Sequence, residues 1–284
     1  MSNKNLFLVI SMSRSGHHPI MEWIYAQFEP RKLFLNYCDF ATPQDVLTNR
    51  VQYHWNDQKY YKKISDSWIQ HGLVDQKLKE FVRETEGVKR EVLNADKNLL
   101  IMNFENLNLS QIPMSVDAFT SHFSPFENRG CILVMRDIYN LIASRLKSGR
   151  ELSREDIRQK NETFQNMISA WKSHAREFLG ETNVLPDKIL VNFNRWFLDV
   201  DYRSELTKKL HSDREVSDWH TVSTYGGGSS FDQMYLKDEA HKMAVLDRWK
   251  EYRDDETFWT AFDDPELVSL SERIFGNPTT IDNG

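Results

Sequence analysis

The sequence predicts an α/β protein in which a parallel β-sheet is flanked by helices. Short, continuous runs of apolar residues recur along the chain at the length of buried strands. Helical periodicity or a helix start signal follows several of these runs, and strands that alternate with helices form parallel sheets. The 284 residues can bury one substantial core, so we expect a single domain over residues 1–284.

Five segments have the composition of buried strands: 6–10, 33–37, 99–104, 130–135 and 188–193. Between the first two, Ile20, Trp23 and Ile24 recur at helical spacing, which predicts a helix from about Pro19. The capping-box pattern at 153–156 predicts a long helix that extends to about residue 178. Beyond about residue 204 the chain is predicted to be mainly helical, with one interruption at a glycine-rich loop.

The segment from about 41 to 96 is polar and rich in aromatic residues. It is either a helical cap packed by amphipathic aromatic side chains or an insert that contacts a substrate. We expect it to cover the site where an acceptor binds, and His54 and His71 lie within it.

Composition excludes several classes of function. The formal net charge of −6 argues against broad binding to nucleic acids or anionic membranes. Two cysteines, Cys38 and Cys131, are too few for a disulfide scaffold or a zinc–thiolate cluster, which fits a reducing cytoplasm. The apolar run at 6–10 is too short for a signal peptide or a membrane span. A soluble cytoplasmic protein is therefore expected.

The first strand leads into a turn suited to an anion. Ser11 to His18 are small, polar or basic, Gly16 lies among them, and the predicted helix follows. A strand, a glycine-containing turn and a helix direct backbone N–H groups and the positive helix end at a phosphate. Arg14 adds a planar guanidinium that suits phosphate or sulfate oxygens.

This turn differs from the loop of nucleotide triphosphatases, G-x-x-x-x-G-K-[ST]. Ser11 stands where the first glycine belongs, and His17 and His18 replace the lysine and the metal-binding hydroxyl. A kinase of that class is therefore the less favoured alternative.

A second candidate anion site follows the fourth strand. Arg136 comes directly after the strand, where open α/β sheets place their ligand crevice. Ser144 lies eight residues further, just over two helical turns, and its hydroxyl is expected to face the same anion.

Both motifs resemble those of sulfotransferases. Arg14, Ser15 and Gly16 match the family pattern [KR]-S-G-[TS]-[TS], from which His17 and His18 depart. The segment from Arg136 to Ser144 matches R-[DN]-P-x-[DN]-x-x-x-S except that Ile138 replaces proline. The resemblance implies the donor 3′-phosphoadenosine-5′-phosphosulfate, with residues 14–18 on its 5′-phosphosulfate and Arg136 and Ser144 on its 3′-phosphate.

Two looser matches extend the resemblance. Phe193 corresponds to an aromatic residue that the family contributes to the adenine pocket. Gly227, Gly228 and Ser229 belong to a loop rich in hydrogen-bond donors, at the point where the family covers the 3′-phosphate. A flexible linker is the alternative interpretation of this loop.

The resemblance also implies catalytic roles. Arg14 is expected to stabilise charge on the bridging oxygen of the leaving group. The base that removes the acceptor proton is predicted to be a carboxylate at a strand end, Glu105 or Asp39, while His17 and His18 donate hydrogen bonds to the 5′-phosphate.

The resulting prediction is a sulfotransferase that needs no metal and acts on a hydroxyl or amine of a small molecule or carbohydrate. The alternatives are a kinase-like phosphotransferase and a non-catalytic nucleotide-binding protein of the same fold.

Overall fold

A computed structural model of the chain describes residues 3–36, 38, 52–55, 58–60, 95–111, 125–212, 214, 216, 219 and 244–277. For residues 52–55, 58–60 and 111 it describes the backbone alone.

The strands form one seven-stranded sheet in the order β4-β3-β2-β5-β1-β6-β7. They are β1 (Asn3–Ser11), β2 (Lys32–Asn36), β3 (Gln52–Trp55), β4 (Gln58–Tyr60), β5 (Leu99–Glu105), β6 (Phe126–Met135) and β7 (Lys188–Asn192). Strands β2, β5, β1, β6 and β7 are parallel, whereas β3 and β4 pair antiparallel at one edge. The five-stranded parallel centre with flanking helices confirms the predicted α/β class.

Eight α-helices are described in these residues: α1 (His17–Ala26), α2 (Ile138–Ser148), α3 (Arg154–Gln159), α4 (Glu162–Phe178), α5 (Phe193–Leu198), α6 (Val200–Leu210), α7 (Glu256–Thr260) and α8 (Pro265–Phe275). Short 3₁₀ helices lie at Leu109–Gln111 and Arg248–Tyr252. Within the described part of the chain, no helix combines the length and the apolar character that crossing a bilayer requires.

The core lies on both faces of the sheet because alternate residues of β1 point to opposite sides. Leu6, Leu8 and Ile10 pack with residues of α2, α4 and the C-terminal helices. Phe7 and Val9 pack on the other face with residues of α1, α5 and α6. With both faces covered, the strands read as continuous apolar runs, which is why the sequence predicts them.

Several predicted elements differ from the structure in their bounds. The helix predicted from 153 to 178 is two helices, because Lys160 adopts a left-handed conformation and Asn161 then caps α4. The fifth strand ends at Asn192, and Phe193 begins α5. The helix predicted from Pro19 already begins at His17, since Gly16 takes the capping position.

The aromatic segment 41–96 contributes the edge strands β3 and β4 to the sheet. Most of it, including His71, lies outside the described residues, so its covering role stays a prediction.

Candidate functional site

The candidate site lies at the carboxyl ends of β1, β5 and β6. Between β1 and α1, residues 12–16 form a tight turn, the β1–α1 loop, which the N–H of Ser15 closes on the carbonyl of Met12 at 3.1 Å. Gly16 has a φ of 81°. A Cβ on Gly16 would lie 2.1 Å from the Phe193 ring, so any other residue here would have to displace that ring.

Asn106 and Arg145 hold the β1–α1 loop in place. The Asn106 side-chain carbonyl accepts a hydrogen bond from the Ser13 N–H at 3.0 Å, and the backbone N–H of Asn106 donates to the Ser11 carbonyl at 3.0 Å. The buried Arg145 guanidinium donates to the Ser13 carbonyl from Nε at 3.3 Å and from Nη2 at 3.2 Å. Hydrogen bonds within the protein therefore hold the loop backbone in this conformation.

The carboxylate of Glu151 lies beside Arg14, the cationic residue of the β1–α1 loop. Glu151 Oε1 is 4.0 Å from Arg14 Nε, and Glu151 Oε2 is 3.7 Å from Arg145 Nε. The Ser13 hydroxyl also donates to Glu151. The Arg14 side chain remains 21% exposed and can reach an anion in solvent.

His17, His18 and Glu105 bring together the start of α1 and the end of β5. His17 Nε2 is 3.1 Å from Glu105 Oε1, and His18 Nε2 is 4.0 Å from the same oxygen. The Ser15 hydroxyl lies 3.3 Å from His17 Nδ1. Asn103 donates a hydrogen bond to Glu105 Oε1 at 2.9 Å, which restrains the carboxylate.

The Glu105 carboxylate is ionised at neutral pH. Burial by itself would raise its pKa, but the charges of His17 and His18 and the hydrogen bonds from His17 and Asn103 lower the pKa to about 2. A carboxylate with such a low pKa binds protons weakly. Glu105 is thus better suited to stabilise a charged imidazole than to remove a proton by itself.

Arg136 connects the β1–α1 loop to the C-terminal part of the chain. Its Nη1 donates to the Arg14 carbonyl at 3.0 Å, and its Nη2 donates to the Val245 carbonyl. Its guanidinium also lies 5.1 Å from the centre of the Phe193 ring. The Nε atom is buried and has no hydrogen-bond partner among the described residues.

Arg248 supplies a second guanidinium close to Arg136. Its Nη1 donates to the Ser144 hydroxyl at 3.2 Å, and both residues are buried. Burial and the neighbouring charge of Arg248 lower the pKa of Arg136 to about 9, although Asp137 opposes the shift. Two buried cations and a hydroxyl in one place form a favourable environment for a phosphate group.

Asn140 attaches the segment that carries Arg248 to α2. Its side chain donates to the Leu246 carbonyl at 2.8 Å and accepts from the Trp249 N–H at 3.3 Å. Asp137 caps α2 and accepts hydrogen bonds from Asn140 and from Asn194. The sequence alone does not identify Arg248 as a site residue, because no motif connects it to β6, which ends more than a hundred residues earlier.

Most predicted site residues lie in this region: Arg14, Ser15, Gly16, His17, His18, Glu105, Arg136, Ser144 and Phe193. Phe193 packs on Gly16 and Arg136, so its ring forms one wall beside the β1–α1 loop. Asp39, Gly227, Gly228 and Ser229 lie outside the described residues, and their roles stay predictions.

A solved structure has a similar fold. The structure is similar to the sulfotransferase domain from the Synechococcus PCC 7002 olefin synthase, with a TM-score of 0.50 over 96% of this chain and 95% of that one. The two sequences are 14% identical, so the similarity establishes a sulfotransferase fold. No family profile and no curated protein sequence matches the chain.

Proposed function

We propose that this protein is a sulfotransferase that takes its sulfuryl group from 3′-phosphoadenosine-5′-phosphosulfate. The observation that carries the proposal is the hydrogen bond from Arg136 to the Arg14 carbonyl, which joins two cationic sites at one edge of the sheet. A donor with a phosphosulfate at one end and a 3′-phosphate at the other requires two such sites, side by side.

The two ends of the donor are assigned by the groups that each site offers. The β1–α1 loop and the N-terminus of α1 present backbone N–H groups and Arg14, which suit the 5′-phosphosulfate. Arg136, Arg248 and Ser144 offer guanidinium groups and a hydroxyl, which suit the 3′-phosphate.

During transfer, the bond from sulfur to the bridging oxygen breaks as the bond from sulfur to the acceptor oxygen or nitrogen forms. The electron pair of the broken bond stays on the 5′-phosphate, where Arg14 stabilises the added charge. The acceptor proton passes to a base of the protein.

We assign that base to the histidine pair, in place of the carboxylate alone that the sequence analysis favoured. His18 is the more accessible of the two, with 19% of its side chain exposed, whereas His17 is buried. Glu105 stabilises the imidazolium that forms.

The acceptor is a hydroxyl or an amine of a small molecule or carbohydrate, and transfer itself uses no metal.

Calorimetry with 3′-phosphoadenosine 5′-phosphate and with ADP, each with and without Mg²⁺, tests the donor assignment. Ser144→Ala should weaken binding of the 3′-phosphate ligand by roughly tenfold or more, because hydrogen bonds to charged groups contribute about 1.5–3 kcal/mol. Its effect on ADP, which lacks the 3′-phosphate, should be small.

Ser148→Ala is the matched control, since Ser148 lies one turn further along α2 and donates to the Arg145 carbonyl. Equal losses for both ligands in Ser144→Ala would contradict the assignment. Tight binding of ADP that depends on Mg²⁺, with no preference for the 3′-phosphate, would support the kinase-like alternative.

The base is tested by release of 3′-phosphoadenosine 5′-phosphate in the presence of a panel of phenol, amine and carbohydrate acceptors. His18→Asn should lower kcat by roughly 10²–10⁴-fold while donor affinity changes little. Turnover that survives in His18→Asn but is lost in Glu105→Gln would restore the carboxylate as the base. Donor binding without turnover for the unaltered protein would favour the non-catalytic alternative.

A further inference from the structure

We propose that His17, His18 and Glu105 also form a binding site for a divalent transition-metal ion of the zinc type. Their ligand atoms all lie within 4.8 Å of one another. His17 Nε2 and His18 Nε2 are 3.1 Å and 4.0 Å from Glu105 Oε1. Ligands about 2.0–2.2 Å from a tetrahedral zinc ion are roughly 3.4 Å apart, so movements on the order of 1 Å suffice.

Neighbouring side chains orient two of the three ligands. Asn103 donates one hydrogen bond to Glu105 Oε1 at 2.9 Å and another to Asn36 Oδ1 at 2.7 Å, which restrains the carboxylate. The Ser15 hydroxyl lies 3.3 Å from His17 Nδ1 and can accept its proton. A hydrogen bond at Nδ1 leaves Nε2 as the metal ligand, which is the usual outer-sphere arrangement for a histidine ligand.

The charge of the cluster also suits a cation. Glu105 is a buried carboxylate 3.1 Å from His17 Nε2, and its negative charge would offset part of the charge of a metal ion bound between them. Arg145 interacts electrostatically with Glu105, and Arg14 lies in the adjoining β1–α1 loop; Glu151 lies within 4.0 Å of both arginines. Their repulsion of a metal ion is therefore reduced.

The donor set selects the class of ion. Imidazole nitrogens favour zinc, cobalt, nickel, copper and iron, whereas calcium and magnesium prefer oxygen ligands. Three protein ligands leave at least one coordination position open. The site shares its histidines with the proposed transfer reaction, so a bound metal ion would occupy the nitrogens that the base needs and would block proton transfer. Metal binding in the absence of nucleotide does not depend on the identity of the donor.

The test measures metal binding by the tag-free, full-length protein after treatment with a chelator. Calorimetry with Zn²⁺ should give one site with a Kd on the order of 1 µM. Co²⁺, whose visible absorption reports its coordination, should give the spectrum of a nitrogen- and oxygen-ligated site. Mg²⁺ should show no binding at the same concentration.

His18→Asn and Glu105→Gln should each weaken Zn²⁺ binding by at least about tenfold. His211→Asn is the matched control, because His211 is an exposed histidine in the left-handed C-cap of α6, a conformation that asparagine tolerates. Circular dichroism and urea unfolding establish that each variant is folded, and His18→Asn, at a partly exposed position, keeps the test valid if Glu105→Gln is unstable.

Absence of Zn²⁺ binding at about 100 µM would overturn the proposal. The proposal is also overturned if His18→Asn binds Zn²⁺ as tightly as the unaltered protein does, or if His211→Asn abolishes Zn²⁺ binding. The Zn²⁺ titrations contain no nucleotide, so a protein that does not bind Zn²⁺ could still be a sulfotransferase. Conversely, a protein that does not bind the nucleotide could still bind Zn²⁺ at this site.

Discussion

Replacement of Gly16 by alanine tests the closest contact in the site. At φ 81°, alanine adopts a left-handed conformation at a cost of about 1–2 kcal/mol. Its Cβ would also lie 2.1, 2.5 and 2.6 Å from three atoms of the Phe193 ring, against an ordinary carbon–carbon separation of about 3.5–4.0 Å. Displacement of the ring adds roughly 1–3 kcal/mol. Gly16→Ala should therefore lower the free energy of unfolding by roughly 2–5 kcal/mol.

Urea unfolding of Gly16→Ala beside Gly149→Ala separates the two contributions. Gly149 also has a positive φ, 62°, but apart from its own local backbone no atom of the described residues lies within 4 Å of a Cβ placed there. Gly149→Ala should thus cost only about 1–2 kcal/mol. A double-mutant cycle between Gly16→Ala and Phe193→Leu should show a coupling energy of about 1 kcal/mol or more. Equal losses for the two glycine variants, with zero coupling to Phe193, would refute the reasoning.

Three further perturbations follow from individual contacts. Glu105 has a pKa of about 2 against an ordinary 4.5, so its stabilising contribution is present above pH 4.5 and is lost towards pH 2. The difference in unfolding free energy between the unaltered protein and Glu105→Gln should therefore shrink by at most about 3 kcal/mol over that range. A constant difference would contradict this prediction. Glu151→Gln removes an anion 4.0 Å from Arg14. The affinity for 3′-phosphoadenosine 5′-phosphate should therefore rise roughly two- to fivefold in low salt and less in high salt. A loss of affinity would instead show that Glu151 positions Arg14. Asn161→Ala removes the cap of α4 and should cost about 1 kcal/mol in urea unfolding with nucleotide affinity unchanged; a change in affinity would connect the break between α3 and α4 to the site.

The central strands could be predicted from the sequence because they are buried on both faces. Strands such as β1 and β5 consist of almost continuous apolar residues, and this pattern needs no knowledge of their partners. The edge strands β3 and β4 lack such a run. Polar and aromatic residues alternate in 52–55, and Asn56 and Asp57 follow before 58–60, but this is a weaker signal for a hairpin. The aromatic content of the segment instead favours a cap over the acceptor site.

Within the site, local motifs were predictable and long-range partners were not. Arg14, Arg136 and Ser144 follow strand ends or helix spacing that the sequence displays directly. Arg248 joins them through long-range contacts, in which Asn140 binds the segment at Leu246 and Trp249 and Arg136 binds it at Val245. The pairing of His17 with Glu105 likewise depends on the adjacency of β1 and β5, which only the sheet order defines.

The central position of β1 has a consequence for synthesis of the protein on the ribosome. β1 ends at Ser11, but its neighbours β5 and β6 begin only at Leu99 and Phe126. At roughly 5–20 residues per second, an apolar strand with both edges unpaired waits for several seconds before its partners are made. Over that interval β1 is an unpaired apolar strand that can aggregate, and a chaperone that binds short apolar segments would increase the yield of folded protein.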